Sequence, residues 1–179
     1  HGMVADRLLV VTHHTPVPIG VDYKTPATLG LDRLAAACGC AAIYPAEPLL
    51  IVDAGTAVTL DLVDASNIFR GGNIAPGLFL RFKSLREHTS RLPMVSPEGD
   101  IPPFGYDTVT AIRSGVVEGL IAQIDFSYRR ARTLHGVRRV LLGGGDAPFL
   151  HPLLLQEDIP VEVVPDMVSR GLLEIFKFN

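Results

Sequence analysis

A mixed α/β fold is predicted by the middle of this sequence. Three strand-like runs, 49–53, 57–63 and 68–71, follow one another with only short polar turns between them. Antiparallel strands can be joined that way and parallel ones cannot. Beyond them, stretches with helical periodicity alternate with short apolar runs, the pattern of a sheet covered by helices. Two apolar runs end in polar turns, Asp53-Ala54-Gly55-Thr56 and Gly143-Gly144-Gly145-Asp146, and open α/β sheets collect ligands at such strand ends.

Taken in order, residues 1–3 read as a clipped end, and residues 8–11, Leu-Leu-Val-Val, as a short strand. His13-His14 reads as a polar strand end, and 15–19, with Pro16 and Pro18, as an extended connector; 21–26 is turn-like. A helix is predicted from Thr28, as N-cap, to about Ala42, which places Asp32 and Arg33 in its first turns. Pro45 and Pro48 interrupt the chain before the three strands, and Asp64-Ala65-Ser66-Asn67 is the hairpin turn between the second and third. Residues 71–77 form a glycine-rich loop that opens a helix, with Leu78, Phe82, Leu85 and Leu92 on one face and Pro93 as its stop. A Pro- and Gly-rich loop runs over 93–105. The longest helix spans about 107–133, with Ile112, Val116, Ile124 and Tyr128 as its apolar stripe. Gly115, Gly119 and Ala122 form a small-residue face, suited to close packing inside the domain or to a subunit interface. A buried strand over 138–142, a short helix over 149–155, a strand over 161–164 and a helix over 167–178 complete the chain. From residue 49 the order is β-β-β-α-α-β-α-β-α, the layout of a ribonuclease H-like domain.

Composition narrows the function classes. The 179 residues suffice for one domain with a full core, or one domain plus part of another. Hydrophobic residues make up 47% and charged residues 20%, ordinary for a globular chain, and the net charge of -3 lacks the basic footprint of a nucleic-acid binder. No apolar run reaches the roughly 18 residues of a membrane span and no signal peptide is visible, so a cytoplasmic protein is expected. Cys38 and Cys40 read as small buried residues in a reducing compartment, and the six His show no metal-ligand spacing.

Three polar turns carry the chemistry. Asp53-Ala54-Gly55-Thr56 is either a polar hairpin turn or a phosphate cradle, with backbone N–H groups for the anion, the carboxylate for a cation, and Gly55 free to adopt positive φ. At Gly143–Asp146 bare backbone could lie against a ring or sugar, and the following helix N-terminus favours negative charge. In Gly30-Leu31-Asp32-Arg33 the acid and guanidinium are either a surface ion pair or, in a cleft, a base for a hydroxyl beside an anion holder. Together these suggest phosphoryl transfer, without a Gly-x4-Gly-Lys-Ser/Thr nucleotide loop.

The segments YKTPATLGLDRLA (23–35), DAGTAVTLD (53–61), GGNIAPGL (71–78), HTSRLP (88–93), FGYDTVTAIRSG (104–115) and GGGDA (143–147) resemble, in order, the motifs of type III pantothenate kinase. That family belongs to the superfamily of acetate and sugar kinases, heat-shock chaperones and actin-like ATPases, with ribonuclease H-like domains. The resemblance implies ATP-dependent phosphorylation of pantothenate to 4'-phosphopantothenate, the first step to coenzyme A, by a homodimer using ATP with Mg2+ and a monovalent cation, K+ or NH4+. It implies Asp32 as catalytic base and Tyr23, Gly30, Leu31, Asp32 and Arg33 as pantothenate contacts, with Thr108 reaching in from the other subunit. It implies Asp53 as the monovalent-cation ligand, Thr56 and Gly55 at the ATP phosphates, and Gly144 and Gly145 near adenine and ribose.

The sequence departs from the family twice. The Asp-x-Gly-Asn-Thr loop with which the family begins has no match, so residues 1–45 are expected to be a remnant of an N-terminal ribonuclease H-like domain and 46–179 the C-terminal one. A chain truly lacking that loop is expected to have little kinase activity. Gly143 also stands where the family usually has Thr. The competing readings are a non-catalytic relative, acting as an accessory transcription factor or binding protein, and another kinase of the superfamily; the Gly30–Arg33 motif and Thr108 argue against the latter.

Overall fold

The computed structural model describes residues 8–179, so the reading of residues 1–3 lies outside the described part. Six strands form one sheet in the order β1-β4-β3-β2-β5-β6: β1 (Gly20–Val21), β2 (Leu49–Ala54), β3 (Ala57–Val63), β4 (Ile68–Pro76), β5 (Val140–Gly143) and β6 (Val161–Val163). The β2–β3 and β3–β4 pairs are antiparallel; β1–β4, β2–β5 and β5–β6 are parallel. The helices are α1 (Leu31–Ile43), α2 (Leu78–His88), α3 (Thr108–His135), α4 (Ala147–Gln156) and α5 (Met167–Phe178). The order expected from residue 49 onward is the one observed.

Strand alternation divides the core in two. Leu50, Val52, Ala54 and Leu60 point to one face and are covered by α2, α3 and α4 through Leu78, Phe82, Ile112, Val116, Ile124, Tyr128 and Leu150. Leu49, Ile51 and Val63 point to the other, covered by α1 and α5 through Ala35, Cys38 and Ile175. Cys38 and Cys40 are both buried and unbonded, and burial pushes each thiol up to about 12.

Helices α1 and α5 pack with their backbones in close approach. A Cβ on Gly39 would lie 2.7 Å from the Met167 carbonyl oxygen and 2.8 Å from the Gly171 nitrogen, and one on Gly171 would overlap the Ala35 carbonyl. Two bare positions therefore let the helix backbones touch. The small-residue face predicted on the long helix does something else. Gly115, Gly119 and Ala122 are exposed; a Cβ on Gly115 meets nothing within 4 Å, and one on Gly119 only the Arg81 guanidinium at 3.9 Å. Packing inside the domain does not account for that face.

Several element boundaries differ from expectation. Residues 8–11 form no strand: Leu9 and Val11 pack against the core, Leu8 and Val10 are exposed, and they pair with no strand among the described residues. His13-His14 sits in a turn, and His13 Nε2 lies 3.0 Å from the Leu29 carbonyl oxygen. Thr28 does not cap α1. Its hydroxyl donates back to the Thr25 carbonyl at 2.9 Å, closing a 3-10 turn over Pro26–Thr28, and α1 starts after Gly30 with no side-chain cap. Residues 71–76 are strand, not loop, because β3 is long enough to pair with β4 out to Ala57↔Pro76; the helix follows with Gly77 as its cap residue. α2 stops at His88, so Leu92 packs on the core from the following loop. β5 begins at Val140 rather than 138 and takes in Gly143. α4 begins at Ala147, two residues early, and tolerates Pro152 in its interior.

The 93–105 loop is pinned from α3. Arg113 donates to the carbonyls of Ser96 (3.0 Å) and Asp100 (3.1 Å), and Ser114 Oγ donates to that of Pro102 at 2.7 Å. Asp107 and Thr110 form a reciprocal capping box that fixes where α3 begins, and so where Thr108 stands.

Candidate active site

The end of β2 organises the site. Asp53 lies opposite Thr59 in the β2–β3 hairpin and beside Gly143 of β5, so both predicted turns meet at the same end of neighbouring interior strands. Gly55 donates its N–H to the Ala57 carbonyl at 3.0 Å, and the turn does not use its freedom to adopt positive φ. A Cβ there would meet only the Ala57 oxygen, at 3.9 Å. Neither strain nor packing demands glycine at 55, and the bare backbone is left open to a ligand. Thr56 is exposed, and its carbonyl accepts from Gly77 N–H at 3.0 Å, tying the start of α2 to the turn.

Glycine is demanded at 144. Its φ is +89°, and a Cβ would overlap the Ala54 carbonyl and lie 2.6 Å from Asp53 Oδ1. Asp146 N–H donates to the Ala54 carbonyl at 3.0 Å, and its carboxylate accepts from the backbone of Leu78. Asp146, which the sequence reading gave no role of its own, thus joins the glycine turn to the first residue of α2; burial pushes its carboxyl up against that bond. A cavity of about 470 Å³ opens beside the turn, lined by Asp53, Gly143, Gly144 and Gly145 with Val164 and Met167. A Cβ on Gly143 would overlap the Met167 methyl, so Met167 fills the space that a side chain at 143 would take.

Asp32 and Arg33 arrive from the α1 face. Asp32 is exposed in the first turn of α1, where the helix dipole favours a carboxylate, and its Oδ1 accepts from Arg33 N–H at 2.9 Å. A Cβ on Gly30 would overlap that same oxygen, so glycine at 30 makes room for the Asp32 carboxylate. Arg33 is not part of a surface pair with Asp32. It is 6% exposed, and its Nε reaches both Asp61 oxygens at 3.0 and 3.1 Å while Nη2 bonds Oδ1. Tyr23 and Phe69 flank the guanidinium at 6.0 and 5.7 Å, edge to face with each other. Burial opposes the Arg33 charge, but bonding and attraction to Asp61 hold it above its ordinary value.

Asp61 was part of a recognised motif without being given a role. The signal was available: hairpin register sets Asp61 against Ile51, so it shares a sheet face with Asp53. Asp32, Asp53 and Asp61 therefore gather on the α1 side. Burial, then the charges of Asp32 and Asp61, push the Asp53 carboxyl up. The folded state thus holds this proton more tightly than the unfolded chain, and the stability it contributes below the ordinary carboxylate range is lost as pH rises through the folded value. Asp53→Asn is expected to raise Tm at pH 7 relative to the parent, with the gap closing in acid; thermal melts at pH 4 and 7 check it. Among the described residues no group of three or more His, Cys, Asp or Glu is placed to hold a metal by side chains alone.

Tyr23, Gly30, Leu31, Asp32 and Arg33 are brought together, as are Asp53, Gly55, Thr56, Gly144 and Gly145. Thr108 is not brought to either set through its own helix: α3 covers the sheet face opposite α1. No described helix is long and apolar enough to cross a membrane.

Comparison with known proteins bears on this arrangement. A family model for type III pantothenate kinase matches residues 3–130. The type III pantothenate kinase of Porphyromonas gingivalis is 41% identical over 174 residues, covering 96% of this chain and 70% of the relative. That of Phocaeicola vulgatus is 42% identical over 173 residues, covering 97% and 70%. Among solved structures, a Campylobacter jejuni protein assigned to the Baf family of transcriptional activators superposes with a TM-score of 0.65 at 26% identity, covering 90% of this chain and 68% of that one. With the family model spanning most of the chain and the paired turns folded together at the ends of β2 and β5, the chain belongs to the type III pantothenate kinase family.

Proposed function

We propose that this kinase transfers a phosphoryl group from ATP to pantothenate, on the route to coenzyme A, with Asp32 as the base. The observation that carries the reading is that Asp32 stands exposed and unpaired by Arg33 on the same sheet face as Asp53. A carboxylate so placed can take the proton of the primary hydroxyl as it attacks the γ-phosphorus. Tyr23 and residues 30–33 form the pantothenate side. Gly55 and Thr56 meet the phosphates, and Gly144 and Gly145 lie along adenine and ribose. Mg2+ bound with ATP would neutralise phosphate charge, and Asp53 would hold K+ or NH4+. The test is a coupled ATP assay on the full-length protein with pantothenate, run with K+ or NH4+ and then without. No turnover in any condition would overturn the reading. Asp53→Asn is expected to abolish the response to the monovalent cation.

A homodimer in the cytoplasm completes the proposal. The uncovered Gly115–Gly119–Ala122 face of α3 supports a subunit contact, and the sheet standing between Thr108 and Asp32 supports Thr108 acting on the partner's substrate. Mixing inactive Asp32→Asn chains with Thr108→Arg chains is expected to restore about a quarter of the parent activity, since one site in a mixed dimer is intact. Absence of any recovery in mixtures shown to exchange subunits would sink the shared site.

A second reading, an accessory transcription factor without catalysis, is favoured by the likeness to the Campylobacter jejuni protein. The net charge of -3 gives it no electrostatic support for direct DNA binding.

A further inference from the structure

The buried Asp61 has no part in the chemistry just described, yet its geometry is specific. It is 1% exposed, grips Arg33 through both oxygens and is bonded as well by Thr59. It also lies near enough to Asp32 and Asp53 for the charges to be felt. Arg33 follows Asp32 directly in the chain, yet of these three carboxylates its guanidinium pairs with Asp61. If it turned to Asp32 it would hold the base ionised and occupied; if it turned to Asp53 it would stand in the place of the monovalent cation.

We propose that Asp61 is a positioning residue of the active site, holding Arg33 so that Asp32 is left free as a base and Asp53 free to receive a cation. The bidentate pair also fixes the first turn of α1 onto β3, and with it the direction of Asp32. An arginine stays protonated even when buried, so its charge must be met by some acid. A dedicated third carboxylate meets it without consuming either working one. This rests on the reading of Asp32 and Asp53 given above.

The experiment compares the full-length parent with Asp61→Asn, Asp61→Glu and the paired Arg33→Met/Asp61→Leu, at saturating pantothenate and ATP so that substrate affinity drops out. Asp61→Asn releases a buried guanidinium without a partner. The expected result is a kcat about a hundredfold lower, with about tenfold more K+ needed for half-activation. Asp61→Glu keeps the charge and is expected to recover most of kcat. The paired variant removes the cation together with its partner, so kcat is expected to rise at least about tenfold above that of Asp61→Asn. A merely structural pair predicts the same recovery in the double variant but no change in the K+ requirement of Asp61→Asn; an unchanged K+ requirement overturns the proposal, as does near-normal kcat in Asp61→Asn. Should Asp61→Asn not fold, the paired variant decides alone: a K+ requirement about tenfold above the parent, with no arginine left to occupy Asp53, overturns the proposal. Asp32→Asn is run beside them. If it keeps its turnover, the assignment of the base has failed independently of Asp61.

Discussion

Asp32→Asn is expected to lower kcat by about a thousandfold, in the range measured for loss of a general base, while pantothenate still binds. The amide is the same size as the carboxylate and can still accept from Arg33 N–H, so the first turn of α1 keeps its shape. It cannot take a proton from a hydroxyl. Because Asp32 is exposed and pairs with no charged side chain, and the amide keeps its bond from Arg33 N–H, its replacement should not unfold the chain. Steady-state kinetics and calorimetric titration with pantothenate check the two halves separately. A kcat within tenfold of the parent would remove Asp32 from the chemistry. Loss of pantothenate binding together with kcat would instead make it a contact residue.

Gly171→Val is expected to cost about 3 kcal/mol or more of stability, at the upper end for overpacking a buried position. The reason is geometric. A Cβ at 171 overlaps the Ala35 carbonyl of α1, and backbone cannot move aside as a flexible side chain can. α1 must therefore lift from α5. The Gly39 contact with Met167 and Gly171 lies in the same seam, so the disturbance spreads along the helix toward Asp32. Chemical denaturation checks the stability loss. The accompanying expectation is a fall in kcat greater than the fraction unfolded accounts for, since the base is carried on the displaced helix. A stable Gly171→Val protein with normal kcat would show that the seam can open without consequence for the site.

Much of the fold was legible in the sequence because its signals are local. Strand runs of apolar residues, turns of Asp, Asn and Gly, and the stripe Ile112–Val116–Ile124–Tyr128 each follow from a few neighbouring side chains. The misreadings fall where a distant partner decides. Residues 8–11 have strand composition but no strand beside them among the described residues. Residues 71–76 have loop composition but lie along β3, whose hydrogen bonds carry them as strand. Glycine-rich faces were ambiguous for the same reason: Gly115 and Gly119 are uncovered, while Gly39 and Gly171 make the tight helix contact.

The candidate site divides in the same way. By itself the sequence determined the residue types at the turns, Asp53 to Thr56, Gly143 to Asp146 and Gly30 to Arg33, and their likeness to one family of kinases. Only the tertiary structure decided which acid faces which base. Arg33 belongs to Asp61, 28 residues away, and not to the adjacent Asp32. Asp146 belongs to the start of α2. The physical reason is that an ion pair is set by distance and burial, and both are products of strand register and helix packing. Hairpin pairing places Asp61 on the same face as Asp53, and the Gly39–Gly171 seam lays α1 on that face, so the charges of Asp32, Arg33, Asp53 and Asp61 become one system only in the folded chain.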